Sequence, residues 1–235
     1  MPSIWILLIP SFFDLIVIST KNVALVLMAA SIVQMFRSSL VMFTAIQSVL
    51  FLKRILYRHH WSSLAAILGG IVLVGVSHII TGDTKISSLG IIVLLVGQFF
   101  GATGYVIEEK ILEDYKSLDP LLLAGIQGVL SFSLCLIILP LMQLIPCSDP
   151  VLCPGGLLEN SLGAFKEVRA QPLHLVWIFM IITNFIFMYS CGLNVTKYGS
   201  AAQRSTIENV RDIFVWSFFI FVPVFGVVIE SFNWI

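Results

Sequence analysis

The sequence predicts an all-α membrane protein, a polytopic helical bundle of about seven transmembrane helices. Two bulk properties and one pattern carry this. Of the 235 residues, 58% are hydrophobic and only 11% charged, against roughly 45–50% and about 25% in soluble domains. Mean hydropathy is +1.02, and a soluble fold of this size would leave much of that apolar surface facing water. The pattern is a series of seven apolar stretches, each near the roughly 20 helical residues that cross a hydrocarbon core.

In chain order these stretches are about Trp5–Leu25, Met28–Leu52, Ser62–Ile80, Leu89–Ile111, Leu121–Ile145, Leu173–Leu193 and Gln203–Val228. The connections Lys53–Trp61, Thr81–Ser87 and Glu113–Pro120 are short and polar, which implies antiparallel neighbours within one membrane domain. The longer segment Pro146–Pro172 carries a candidate interfacial helix at Asn160–Arg169. The N-terminus lacks a basic region and Asp14 interrupts its apolar run, so it does not read as a signal peptide.

The 13 Lys and Arg balance the 13 Asp and Glu, with no basic or acidic block. No nucleic-acid partner is therefore expected; the lipid bilayer and a small-molecule solute are. Cys135 and Cys191 lie in apolar runs and read as small buried hydrophobes. Cys147 and Cys153 sit in a Pro-rich loop and can pair if that loop faces an oxidising lumen. No nearby His or further Cys completes a ligand set, so neither a metal nor a cofactor is expected. An enzyme is not expected either, because GxSxG, HExxH, Walker A and paired-Asp motifs are all missing.

A faint internal repeat organises the chain. Ser31-Ile-Val-Gln34 opens the second stretch and Ser200-Ala-Ala-Gln203 the seventh, and fourteen residues after each Gln stands a Ser, Ser48 and Ser217. Each stretch leads to a polar hinge and a Trp, Trp61 and Trp234. A shift of five spans reverses orientation, so the copies would be inverted-topology repeats, a common build of secondary transporters. Completing both copies would require ten spans, which makes this chain a truncated form of such a fold.

Polar residues at membrane depth are the candidate site, because an ionisable group there costs a few kcal/mol unless it faces a cavity or a partner. Asp14 shares a helix face with Ser11, Ile18 and Lys21. It reads either as a cavity carboxylate that binds a substrate cation or carries a proton, or as a structural group, in an ion pair or protonated within the bundle. Gln34, Arg37, Ser38, Thr44 and Ser48 form a stripe at helical spacing. Arg37 suits an anionic group through its forked guanidinium; alternatively it snorkels while the Ser and Thr glue helices together. Gln98, Gly101, Tyr105 and Glu108 share a face of the fourth stretch, whose Gly97-Gln-Phe-Phe-Gly101 favours close packing. Glu108-Glu109-Lys110 reads as a solvated helix end. In the seventh stretch Glu208 can reach Arg204 and Arg211, with Asp212 beside them, as a self-neutralising ladder. The candidate cavity residues are thus Asp14, Gln34, Arg37, Thr44, Gln98, Tyr105 and Glu208.

Several segments carry a resemblance. Ser31-Ile-Val-Gln-Met-Phe-Arg-Ser-Ser-Leu40, the run from Phe51 to Trp61, Tyr105-Val-Ile-Glu-Glu-Lys110, Glu159-Asn-Ser-Leu-Gly-Ala-Phe165 and Val195-Thr-Lys-Tyr-Gly-Ser-Ala-Ala202 are similar to the drug/metabolite transporter superfamily with its EamA-type repeats. More closely, they resemble the F branch of solute carrier family 35, relatives of the nucleotide-sugar transporters. The resemblance implies ten helices in two inverted halves, a central cavity, alternating access, endomembrane residence (lysosomal or Golgi) and homodimers. On it, residues 1–112 match helices two to five, and 113–235 match helices six to eight with the start of nine. Thr206 stands where the first copy has Arg37, so the arginine is not duplicated. The family topology puts Lys53–Trp61 on the lumenal side, opposite to a count of basic residues, seven against four, under the positive-inside rule. The implied function is multi-pass transport of a small polar, in one version anionic, metabolite. The alternative is a non-transporting membrane protein that associates with a full-length transporter.

Overall fold

The computed structural model describes residues 4–28, 30–81, 88–145 and 161–221. Cys147, Cys153 and Trp234 lie outside the described residues, as do the side chains of Asp212 and Ser217. Among the described residues every regular element is a helix: α1 (Ile4–Leu27), α2 (Ala30–Arg37), α3 (Ser39–Leu52), α4 (Arg58–Thr81), α5 (Ser88–Asp114), α6 (Pro120–Gln143), α7 (Ser161–Ala170), α8 (Leu173–Tyr198) and α9 (Ala201–Phe221). Helices satisfy their own backbone groups, which lipid cannot do. Five segments among the described residues are long and apolar enough to cross a membrane: Trp5–Leu27, Ile32–Leu52, Ser88–Asp114, Pro120–Gln143 and Leu173–Tyr198. The 24-residue α4 and the 21-residue α9 run along the other two expected spans. The chain is therefore a polytopic helical membrane protein. A helix, α7, is present in the interval where an interfacial one was expected.

The second span is not the single helix expected. It breaks at Ser38, where Ser38 N donates to Met35 O and Val41 N to Ser38 O, each at 3.2 Å, in place of the usual four-residue spacing. Such three-residue bonds tighten the backbone into a short 3₁₀-like turn that interrupts the α-helix. The carbonyl of Ser38 also accepts from Asn209 Nδ2 of α9 at 3.4 Å.

Local signals set the helix ends. Pro120 opens α6, and Asp119 caps it by accepting from Leu121 N at 2.8 Å. At the end of α3, Lys53 takes a left-handed conformation with φ 55°, and Lys53 N and Arg54 N both donate to Ser48 O. Between α8 and α9 only Gly199 and Ser200 intervene. Gly199 N closes α8 onto Val195 O at 2.8 Å, and Ser200 Oγ accepts from Gln203 N at 3.2 Å as the cap of α9.

The centre of the bundle is the antiparallel pair α1 and α5. Gly90, Gly97, Gly101 and Gly104 of α5 lie against Leu27, Thr20, Val17 and Phe13 of α1 in reverse order. A Cβ on Gly97 would collide with the Thr20 hydroxyl. The glycines are packing devices that let two backbones approach. Leu7, Ile111, Leu112, Leu118, Leu123 and Leu193 form one buried cluster at one end of that pair. Ala24, Met28, Ile32, Val33, Phe36 and Leu94 form another toward the opposite end. Outside, large apolar side chains are bare: Trp177 is 60% exposed, Phe179 69% and Phe187 73%. Such a surface needs lipid or protein around it.

Candidate functional site

Five helices deliver polar side chains to one buried point. The face of α5 that carries Tyr105 and Glu108 meets α9, whose Arg204 and Glu208 lie one turn apart. Arg204 Nη1 is 2.6 Å from Glu108 Oε2, and both residues are almost wholly buried, at 2% and 1% exposure. Arg204 Nε lies 3.2 Å from Glu208 Oε1, and Tyr105 Oη donates to Glu208 Oε2 at 2.8 Å. From α8, Tyr189 Oη reaches Glu108 Oε1 at 2.6 Å, Gln127 Oε1 of α6 at 3.0 Å and Asp14 Oδ2 of α1 at 3.3 Å. Gln127 Nε2 donates to Glu108 Oε1 at 3.2 Å.

The guanidinium of Arg204 is also held between aromatic faces, 4.0 Å from the Tyr105 ring centroid and 5.2 Å from that of Tyr189. Cation–π attraction grows when the cation is desolvated, to about 2 kcal/mol. Three carboxyls, Asp14, Glu108 and Glu208, thus surround one guanidinium within electrostatic reach of one another. A buried pair with a partner removed costs about 3–5 kcal/mol, so this network is held together by its own completeness. Its excess of carboxyls suits a proton or a cation better than an anion. Among the described residues no group of His, Cys, Asp and Glu is placed to hold a metal ion.

Of the candidate residues, the structure brings Asp14, Tyr105 and Glu208 into this network. Gln98 is buried on α5, nearly three turns before Glu108. Thr44 is buried and donates back to Leu40 O of its own helix at 2.7 Å. Gln34 of α2 is half-buried, with its Oε1 unpartnered among the described residues. Arg37 ends α2, half-buried beside the break at Ser38.

Two expectations need correction. Glu108 and Glu109 are not a solvated helix end, because α9 and the α3 terminus pack over them; they are 1% and 2% exposed. Nor does Glu208 link both arginines: it pairs with Arg204, while Arg211 Nη1 contacts Met188 Sδ of α8. Tyr189 and Gln127 escaped notice in the sequence, since each lies inside an apolar run. A phenol or amide at mid-span was the signal available.

Glu109 makes a second buried junction. Its Oε1 lies 2.8 Å from Arg54 Nη2, and its Oε2 accepts from Ala201 N at 2.9 Å, at the start of α9. The left-handed cap at Lys53 leads directly into Arg54. Beside this junction is a cavity of about 240 Å³ lined by Arg54, Glu109, Glu113, Lys116, Lys197 and others. Lys197 Nζ donates to Leu118 O at 2.6 Å there. The connection after α3, the end of α5 and the end of α8 therefore meet at one end of the bundle.

The fold and this interior define a multi-pass membrane protein with a charged, helix-enclosed core. The chain is related to the F branch of solute carrier family 35. It is 32% identical over 215 residues to solute carrier family 35 member F6 of Rattus norvegicus, covering 89% of this chain and 57% of that protein. The Homo sapiens protein of the same name gives 32% over 214 residues, 88% of this chain and 57% of its own length. An uncharacterized protein of Schizosaccharomyces pombe is 31% identical over 209 residues, 88% of this chain and 63% of that one. The chain thus spans a little more than half the length of the member F6 proteins it matches. No family model matches it, and no solved structure does.

Proposed function

We propose that the protein is a multi-pass transporter of a small polar solute that works by alternating access in an endomembrane. One observation carries the reading. The buried network straddles the division expected between residues 1–112 and 113–235, with Asp14, Tyr105 and Glu108 on one side and Gln127, Tyr189, Arg204 and Glu208 on the other. Charges are retained at membrane depth at a cost, and where they join two halves they mark a place whose pairing can change. The solute carrier name of the relatives supports a transporter over an enzyme. The excess of carboxyls leaves Arg37, at the helix break, as the contact for an anionic group on the solute.

Purified protein in proteoliposomes, offered labelled neutral and anionic sugars and nucleotides, tests this. Saturable uptake is expected for at least one of them, reduced by Glu208→Gln. Loss of uptake of anionic solutes alone in Arg37→Ala would assign that residue. A panel of solutes that all equilibrate no faster than in protein-free liposomes would overturn the reading.

A further inference from the structure

The phenol of Tyr189 has more oxygen neighbours than it has hydrogens. Its Oη faces Glu108 Oε1, Gln127 Oε1 and Asp14 Oδ2 at 2.6, 3.0 and 3.3 Å, and a phenol donates one hydrogen bond. With Gln127 Nε2 donating to Glu108, the phenol hydrogen serves Glu108, its shortest contact, and Gln127 Oε1 and Asp14 Oδ2 are both left facing lone pairs. Turning the Gln127 amide over offers the phenol a donor. It then sets the amide oxygen 3.2 Å from Glu108 Oε1, with no hydrogen between them unless Glu108 carries one. Each arrangement leaves a bare acceptor contact that a carboxyl proton relieves: on Asp14 in the first, on Glu108 in the second. Bare acceptors crowded together in a buried site repel, and three carboxylates have one guanidinium to share.

We propose that Asp14, Tyr189 and Glu108 form a proton-carrying site, in which one proton is exchanged between the two carboxyls through the phenol. The inference deepens the transport reading, and rests on it for its role: the proton is the coupling ion. Asp14 is partly exposed while Glu108 is buried, so an incoming proton meets Asp14 first. Asp14 Oδ2–H passes its hydrogen to Tyr189 Oη as the phenol hydrogen passes to Glu108 Oε1. One O–H bond breaks and one forms at each step, the phenol is neutral before and after, and the negative charge moves from Glu108 to Asp14. Arg204 then faces a neutral acid across the 2.6 Å contact, and keeps Glu208 on its own helix. The tie between α5 and α9 weakens when the proton arrives. The groups that face Asp14 are Glu108 and Tyr105 of α5, Tyr189 of α8, and Arg204 and Glu208 of α9, while α6 brings the uncharged Gln127. The one charged residue of α2, which also packs on α1, is Arg37.

Infrared difference spectra of the full chain in lipid test the proton directly. A protonated-carboxyl stretch is expected at neutral pH, shifted in Tyr189→Phe and lost in the isosteric Asp14→Asn/Glu108→Gln double variant. No such band in the unsubstituted protein overturns the proposal, and so does a band that Tyr189→Phe leaves unmoved, even if the double variant fails to insert. Uptake driven by a pH gradient should fall about a hundredfold in Tyr189→Phe, the scale of a lost proton-transfer group. Solute uptake indifferent to the pH gradient would sink the proton site and leave transport standing. The carboxyl band behaving as expected without any solute uptake would do the reverse.

Discussion

Arg204 of α9 and Glu108 of α5 meet at 2.6 Å with less than 4% of either side chain exposed, so the closest charge contact among the described residues is also one of the most deeply buried. Removing one partner strands the other in a site that water does not reach. Arg204→Met alone should cost about 3–5 kcal/mol. The double variant Arg204→Met/Glu108→Gln should cost less than the sum of the two single changes. Denaturation in detergent micelles measures this cycle; additive effects would mean that the two charges are not coupled.

Tyr105 contributes two separable interactions. Tyr105→Phe keeps the ring 4.0 Å from the guanidinium and removes only the 2.8 Å hydrogen bond to Glu208, a loss of about 1–3 kcal/mol for a buried acceptor left unpaired. Tyr105→Leu should lose roughly 0.5–2 kcal/mol more, the part due to the aromatic face. Equal stability of the two variants would assign all of the effect to the hydroxyl.

The glycines of α5 and α6 should respond in opposite directions. Gly97→Ala forces a methyl into the Thr20 side chain and should destabilise by about 1–3 kcal/mol. An added Cβ at Gly125 meets nothing within 4 Å, so Gly125→Ala should be neutral or stabilise by about 0.5–1 kcal/mol through helix propensity. Thermal stability of the two variants side by side decides it.

Membrane topology follows from the junction around Glu109. Lys53 adjoins Arg54, and Arg54 and Lys116 line the same cavity. In a chain with its four native cysteines replaced, Lys53→Cys and Lys116→Cys should therefore be labelled by an impermeant reagent from one side. Ser88→Cys, at the other end of α5, should be labelled from the opposite side. Labelling of all three from a single side would contradict the helix order.

Much of the architecture was legible because lipid imposes a strong rule: a span must be long, apolar and helical. That rule located the segments that became α1, α5, α6 and α8, and the polar interval that became α7. It missed the break at Ser38, because hydropathy summed over a window does not register a local change in the backbone hydrogen-bond spacing. The candidate site was half legible. Asp14, Tyr105 and Glu208 stood out as polar residues at helical spacing. Glu108 and Glu109 did not, since a Glu-Glu-Lys run near the end of a span reads the same whether solvent or another helix lies over it.

Periodicity within one chain segment thus determined which residues form helices and which face of each helix is polar, because both depend on neighbours three or four positions away. Only the tertiary structure decided which faces meet. Glu108 finds Arg204 across 96 residues of sequence, and Tyr189 finds Asp14 across 175. Such pairings depend on how close the glycines of α5 let α1 approach and on the tight turn at Gly199 that swings α9 back over α5. Those distances are set by side-chain packing between elements, and no local pattern encodes them.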